Sequence, residues 1–559
     1  MTHAEGGRDG VQPIEVYGRL VAAELPRVLG GMDRDPTSPT VGCCDRNFWA
    51  WKFVDFPGAR FQEALCVLSF AARHRVAPEF HGNRRVLEWI EHGFRFWSSI
   101  QHRDGSFDEA YPYERSLAAT AFTTFYASEA LEFLGELLPN SSRTSALETI
   151  SRAGHWLCHH DESHGVLSNH LAAAAAALAH ASRLLNIPTF EARSRYFLDR
   201  ILSHQSSEGW YEEYGGADPG YQTHGSFYLA RLHQLTGDDR LLQSLRSANR
   251  FLAHFVHPDG SIGGEYASRD TQTYYPAAFE MLAPHDPSAA WISSTLRPRV
   301  GTASAAGLKG IDQYNFYPCL NNLVFAHLAV TNGRLAATPR EGIPSGTTWF
   351  PQAGLVRVRT SGLDAVIGTS KGGVVKVFDR VTRRLVLSDC GYAGRSKTGG
   401  RLSSQYLDHH RTVKTDTDGI EVTGPFMAYN RPTMRPWRFL GFRIFSLTFG
   451  RVSGIGEWLK RVLVKVLIYR RKPLRLTLRR RIRFGVDSVT IEDSLAGPDA
   501  VKVADLARVD SFGTIHMGSA RYFVASELHA AGTTTEPVPL AQLSQGMTLT
   551  RTVDVELGS

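Results

Sequence analysis

The chain has 559 residues, of which 43% are hydrophobic and 21% charged, with a formal net charge of +7. That length is too great for one hydrophobic core and calls for roughly two to four domains, while no apolar run is long enough for a membrane-spanning helix. Between Arg451 and Arg483 stand 12 Lys/Arg against the single acid Glu457, a local +11 that leaves −4 of the +7 for everything else, so a general nucleic-acid binder is excluded.

The opening MTHAEGGRDGVQPIEVYGRL carries no basic stretch followed by an apolar one, so a cytoplasmic location is the expectation. The first 335 or so residues read as helices. Ala64–Val76, Arg84–Ile100, Ser116–Leu138, Ser145–His159, Asn169–Asn186, Phe190–His204, Thr223–Thr236 and Asp239–Phe255 all carry apolar residues at three-and-four spacing. The loops between them recur: Asp104-Gly105-Ser106-Phe107, Glu208-Gly209-Trp210-Tyr211 and Asp259-Gly260-Ser261-Ile262, with His164-Gly165-Val166-Leu167 as a degenerate fourth copy. Each repeat fits one helical hairpin, which cannot bury its apolar face alone, so the hairpins must stack or close into a ring. An incomplete α/α toroid over residues 1–340 is the predicted architecture.

Thr338–Gly346, rich in Pro, Gly and Ser, reads as a linker, and from there short β-rich runs replace helices. They are Gly354–Arg359, Ala365–Gly368, Val374–Phe378, Leu385–Ser388, Leu474–Phe484 and Val489–Ile491, with Gly485–Ser488 as a turn. An antiparallel β-sandwich over 345–559 is expected. The basic segment 451–483 reads in two ways: solvated strand faces, or peripheral contact with an anionic membrane through Trp458, Leu459, Val462, Leu463 and Val466 on one helical face. Val462–Tyr469 fits a strand as well as a helix. The six cysteines (Cys43, Cys44, Cys66, Cys158, Cys319, Cys390) form no CxxC pair and show no metal-ligand spacing, so reduced thiols are predicted.

Three polar loops stand in register with the repeats, each entering a helix. Ser168-Asn169-His170 opens an alanine-rich helix, where Asn169 would also serve as an ordinary N-cap. Gly220-Tyr221-Gln222-Thr223-His224-Gly225-Ser226 follows, with Tyr221 lying 51 residues beyond His170, and Gly263-Gly264-Glu265-Tyr266-Ala267-Ser268-Arg269-Asp270-Thr271 is the third. In a ring of hairpins these loops would face one cavity. Trp49, Trp51, Tyr111, Tyr113, Trp210 and Tyr266 sit in or beside repeat loops, where rings stack on sugars or simply pack a core. Arg46, Lys52 and Arg115 suit an anionic glycan.

Asn-His at a helix start, then Gly-Tyr-x-x-His about fifty residues on, resembles the heparinase II/III and alginate-lyase superfamily. The run Cys44-Asp45-Arg46-Asn47-Phe48-Trp49-Ala50-Trp51-Lys52 is also similar to the first toroid segment of relatives from bacterial exopolysaccharide clusters. The resemblance implies a toroid joined to a β-sandwich, no cofactor, and an acidic, uronate-containing polysaccharide cleaved by β-elimination. It implies that Asn169 and His170 bind the uronate carboxylate and Arg269 clamps it. Tyr221 would move the C5 proton, with His224 tuning it, carrying the proton instead, or being structural. Arg46, Trp49, Trp51, Lys52, Tyr111, Trp210, Glu265 and Tyr266 would contact substrate. The β-domain stretch Gly368–Asp379, where the family usually has histidines, holds none; Lys371 is the available cation, and no bound metal is expected. His409-His410 lies further on. Three other readings stay open: a uronate C5-epimerase; a glycoside hydrolase using two of Glu109, Glu114, Glu212, Glu213, Asp218 and Glu265; and a non-catalytic glycan-binding or assembly protein of an exopolysaccharide pathway.

Overall fold

A computed structural model describes residues 15–162, 167–302, 307–332, 343–416, 419–429, 433–464, 471–511 and 535–554, together with positions 523 and 528. Twelve helices fill the first part of the described chain: α1 Glu15–Gly31, α2 Ala64–Arg73, α3 Arg84–Ser99, α4 Leu117–Leu134, α5 Asn140–His159, α6 Ser168–Leu185, α7 Pro188–Ser203, α8 Pro219–Thr236, α9 Asp239–Ala253, α10 Ala277–Leu282, α11 Pro287–Leu296 and α12 Gln313–Asn332. The even-numbered helices pack in sequence, α2 on α4, α4 on α6, α6 on α8, α8 on α10 and α10 on α12, and α12 returns to α2. The odd-numbered helices lie outside this inner ring. The alanine run of α6 follows from that position: both flanks meet other helices, so every residue from Leu171 to Ala181 is buried and small side chains permit close approach. Outer α3 instead buries one stripe, Val86, Ile90, Phe94 and Trp97, and Asn83 caps it by accepting from the Arg85 and Val86 N–H groups.

The recurring loops are copies of one turn. His102 N donates to Ser106 O, Ser206 N to Trp210 O and His257 N to Ser261 O, and within each turn the glycine N–H returns to the first residue's carbonyl. Gly105 and Gly209 have left-handed φ values of 98° and 102°, and a β-carbon there would lie 2.2 and 2.3 Å from the carbonyl oxygens of Arg152 and Ser247 on the next outer helices. The repeat signal therefore marks the seam between hairpins. His164–Val166 of the fourth copy lies outside the described residues.

Two antiparallel sheets follow. The first orders β1 Gly346–Phe350, β2 Leu355–Arg359, β3 Leu363–Gly368, β4 Val374–Asp379 and β5 Leu385–Asp389 consecutively. The second is built around β6 Tyr392–Ser396, β7 Arg401–Ser403, β9 Gly419–Tyr429, β10 Arg471–Phe484, β11 Ser488–Ala496, β12 Val503–Val509 and β14 Met547–Asp554. β8 Thr412–Asp416 and β13 Thr535–Pro537 lie at its margins. Leu355, Val366 and Val374 of the first sheet join the helical core, whereas Val356, Ala365, Ile367 and Val375 join Ile420, Val422, Ile482 and Ile491 of the second. The first sheet is thus a middle layer covered on both faces, and β2, β3 and β4 are buried at every position.

Within the basic segment, β10 turns Leu476, Leu478 and Ile482 inward, with Arg480 among them. That guanidinium is fully buried and held by Asp493 at 2.7 Å and Asp389 at 3.1 Å. Four outward arginines are paired too, Arg479 with Glu421, Arg481 with Asp416, Arg483 with Glu492 and Arg475 with Asp499, and Arg471 lies over the Tyr406 ring. The solvated-strand reading therefore holds for β10. Two helices precede it: α13 Pro436–Leu447, which the sequence reading did not pick out, and α14 Ser453–Val464, which takes up the start of the ambiguous run; residues 465–470 lie outside the described residues.

Candidate active site

Asp218 organises the site. Its carboxylate caps α8 by accepting from Tyr221 N at 2.8 Å, and it also accepts from Arg269 N at 2.9 Å and Thr271 N at 3.4 Å. One buried side chain thereby fixes the second and third polar loops against each other. Gly220 permits this contact, since a β-carbon there would fall 2.1 Å from Thr271 O. Left-handed backbone at non-glycine positions gathers in the same end of the ring, at Lys52, Tyr113, Arg115, Tyr214 and Asp270.

The Arg269 guanidinium lies 3.8 Å from the Tyr221 ring centroid and 4.9 Å from that of Tyr214, with Glu213 at 3.5 Å. Glu213 receives the Asn169 backbone N–H at 3.1 Å, and the Asn169 amide, in the orientation that turns its nitrogen to the carboxyl, donates to both oxygens at 2.9 and 3.2 Å. Burial pushes the Glu213 carboxyl up to about 8, against the pull of Arg269. His170, one residue on, is half-buried; its Nδ1 bonds Glu162 at 2.7 Å and its ring meets Phe122 edge-on. Tyr221 is 6% exposed.

His224 sits one turn into α8, sandwiched between Tyr275 (4.3 Å) and Phe122 (5.8 Å), with Nε2 bonded to the Tyr228 hydroxyl at 3.1 Å. Burial, then the charges of Arg60, His170 and Arg269, hold it well below the usual imidazole range. A neutral, stacked ring edge-on to Tyr221 at 5.6 Å describes a support rather than a proton carrier.

The structure thus brings Asn169, His170, Tyr221, His224 and Arg269 to one end of the ring, and two of them are placed for tasks other than those the resemblance implies. Asn169 is fully buried with its amide nitrogen committed to Glu213, so direct contact with a substrate carboxylate is replaced by positioning. Arg269, 2% exposed, backs the Tyr221 ring rather than reaching outward as a clamp. Three expected substrate contacts are buried where the first sheet meets the toroid. Glu265 pairs with Lys376 at 2.6 Å, the Tyr266 hydroxyl bonds His257 at 3.0 Å, and Lys371 faces Asp270. Burial pushes Lys371 down to about 8 and Asp270 up, so both are driven towards neutrality. Trp210 is held by Glu208, which in turn receives the Gln352 and Ala353 N–H groups. Tyr111 packs edge-on against Phe442 of α13. Trp49 and Lys52 line an open cavity of about 670 Å³ with Asp33 and Asp35, Trp51 is exposed, and Arg46 donates to Gly30 O.

Sequence reasoning used Glu213 and Asp218 only as hydrolase carboxylates and did not find Glu162. The run Glu212-Glu213-Tyr214-Gly215-Gly216-Ala217-Asp218 was the available signal. Of the six carboxylates named for a hydrolase, Glu213 and Asp218 are committed to backbone N–H groups and Glu265 to Lys376. His409, left unplaced from sequence, reaches from the β part and bonds Gly215 O at 3.0 Å, beside Tyr214. Among the described residues one trio has metal-ligand spacing, Glu129, Glu132 and His180, but Arg231 already takes Glu129 at 2.7 Å and Glu132 at 3.2 Å. It is an ion-pair network. All six cysteines are free thiols.

Residues 76–292, 217 of the 559, match the family model of the ulvan lyase N-terminal domain. No curated protein matches the chain. Among solved structures, Streptomyces coelicolor A3 chondroitin AC lyase, in complex with chondroitin sulphate, aligns at 14% identity with a TM-score of 0.52, covering 91% of this chain and 69% of that one. Paenibacillus xanthan lyase aligns at 11% and 0.53, covering 90% of this chain, which spans about half of the xanthan lyase (47%). Heparinase III aligns at 10% and 0.50 over 99% and 86%. At these identities the likeness shows the fold, a helical toroid followed by antiparallel sheets.

Proposed function

We propose that the chain is a polysaccharide lyase that opens an acidic, uronate-containing glycan by β-elimination. The observation that carries this reading is the gathering, at one end of the ring, of Tyr221 at the start of α8 and Arg269 from the loop before α10, with His170 at the start of α6 joined to them through Phe122 and His224. The ulvan lyase domain match over the same residues, and lyases among the structural neighbours, support it.

Elimination removes a weakly acidic proton from C5 beside a carboxylate that resists further negative charge. Fixed donors aimed at that charge supply most of the catalysis. The positive ends of the α6 and α8 dipoles point there, while the first-turn N–H groups of Asn169 and Tyr221 are spent on Glu213 and Asp218. His170, oriented through Nδ1 by Glu162, offers Nε2 to the carboxylate. Tyr221 takes the C5 proton and returns one to the departing O4, while Arg269 sets a fixed positive charge behind its ring.

The test is incubation with a panel of acidic polysaccharides, following absorbance near ~235 nm from an unsaturated uronate, the product elimination demands. New reducing ends without that absorbance would establish a hydrolase instead. Solvent deuterium entering C5 without chain cleavage would establish an epimerase.

A further inference from the structure

Helix α13 wears its apolar stripe on the outside. Trp437, Leu440, Ile444 and Leu447, spaced i, i+3, i+7 and i+10, face solvent, with Trp437 82% exposed. The opposite side holds the helix to the toroid: Phe442 meets Tyr111, Arg443 pairs with Asp55 at 3.1 Å, and Ser446 is buried. Arg115 adds two hydrogen bonds to the backbone of Gly450 and Arg451. The exposed apolar surface continues through Phe449 and Val452 to Trp458 and Val462 of α14. Across the contact, Trp51, Phe53 and Val54, immediately before Asp55, are exposed as well, Phe53 at 94%. An apolar surface of this extent on a folded chain marks an interaction site.

The charge says what covers it. Residues 433–464 carry Arg435, Arg438, Arg443, Arg451, Lys460 and Arg461 against Glu457 alone. A second copy of the chain docked here would oppose one cationic surface to another, and a neutral apolar partner would leave the cations without a role. Aromatic and aliphatic side chains interspersed with arginine suit the boundary between lipid headgroups and acyl chains. No described helix is long and apolar enough to cross a membrane. We propose that α13, α14 and the Trp51–Val54 loop form a peripheral docking surface for an anionic lipid bilayer. The surface keeps the Trp458 and Val462 face of the basic run read in the sequence but adds α13 and the Trp51–Val54 loop in place of β10, because Arg475, Arg479, Arg480, Arg481 and Arg483 of β10 are held in ion pairs while Arg435 and Arg438 stand exposed beside Trp437.

Flotation of the full chain with vesicles tests this. Wild type should float with vesicles of equal parts phosphatidylcholine and phosphatidylglycerol, far less with phosphatidylcholine alone, and progressively less as salt is raised. W437E/L440E/I444E, confined to the solvent face of α13, should cut binding by ~10-fold or more, with an unchanged circular dichroism spectrum. R435E/R438E should cut binding to the anionic vesicles while leaving the apolar stripe in place. Undiminished flotation of the triple variant would overturn the proposal, as would failure of wild type to bind anionic vesicles. A wild-type dimer on size exclusion that the triple variant abolishes, without vesicle binding, would replace lipid by a second copy.

Discussion

Tyr221 is argued to act through a single hydroxyl, so Y221F should leave the fold and glycan affinity nearly intact while turnover falls by ~100-fold or more. Kinetics on whichever polysaccharide the absorbance screen identifies, with affinity measured separately, checks both halves. H170A should weaken turnover and affinity together, since its contact with the carboxylate exists before and during reaction. Glu213 yields a prediction independent of substrate. Burial raises its carboxyl from the ordinary 4.5 to about 8 in the folded chain. A raised folded-state value means that its stabilising contribution is complete below the unfolded value and fades as pH rises through about 8. In E213Q that component of the pH slope should vanish, visible as a flatter melting-temperature profile from pH 5 to 8. Sequence made Asn169, His170 and Tyr221 legible as candidates because each stands at a helix start in register with the repeat, and Arg269 because its polar loop keeps that register, eight residues before α10. It could not assign their tasks, which depend on who stands behind them: Glu213 behind Asn169, Glu162 behind His170, and Tyr221 in front of Arg269.

At the scale of elements, Asp218 joins the N-terminus of α8 to the loop that carries Arg269. D218A would leave the Tyr221, Arg269 and Thr271 N–H groups buried without their acceptor. A buried orphaned donor costs ~1–3 kcal/mol, so the variant should melt well below wild type and lose activity through displacement of both Tyr221 and Arg269; D218N, which keeps one acceptor oxygen, should recover part of each. A second junction binds α4, α6 and α8: His180 lies between Glu129 and Glu132, and Arg231 grips the same two acids. Burial alone would lower the His180 value, but the two carboxylates overcome it and lift it to about 9. Its contribution is complete below the ordinary 6.5 and is lost as pH rises through 9, so thermal stability should fall between pH 7 and 10 and H180N should lack that fall. The helices themselves were largely legible, α3 through its amphipathic stripe and α6 through its alanine run. Helices α1, α10, α11 and α12 were not: Pro26 and Pro318 interrupt the first and last, α12 is apolar on most of its circumference, and α10 and α11 span only six and ten residues.

For the whole molecule, the middle sheet decides behaviour. Its Lys376–Glu265 pair is buried in the joint between the helical and β parts. K376M should cost ~3–5 kcal/mol by leaving Glu265 uncompensated, and K376M/E265Q should restore much of it. Calorimetry of the two variants measures both. That joint was hidden from sequence analysis because Glu265 and Lys371 look like polar groups awaiting a ligand until their partners Lys376 and Asp270 arrive from more than a hundred residues away. The change from helical to β texture, by contrast, was visible in composition alone, with α12 ending at Asn332 and β1 starting at Gly346.

A sheet with no free face also constrains inheritance. Val366 and Val374 answer to the toroid, while Val356 and Ile367 answer to the second sheet, so neither half can drift or be exchanged without the other. A recombination event that grafts a foreign β part onto this ring would have to bring replacements for Arg357, which donates to His254 O and Val256 O, and for Lys376 opposite Glu265. Innovation in such a lineage should concentrate where the middle sheet imposes nothing: in the polar loops at the open end of the ring and in the helices inserted between β9 and β10.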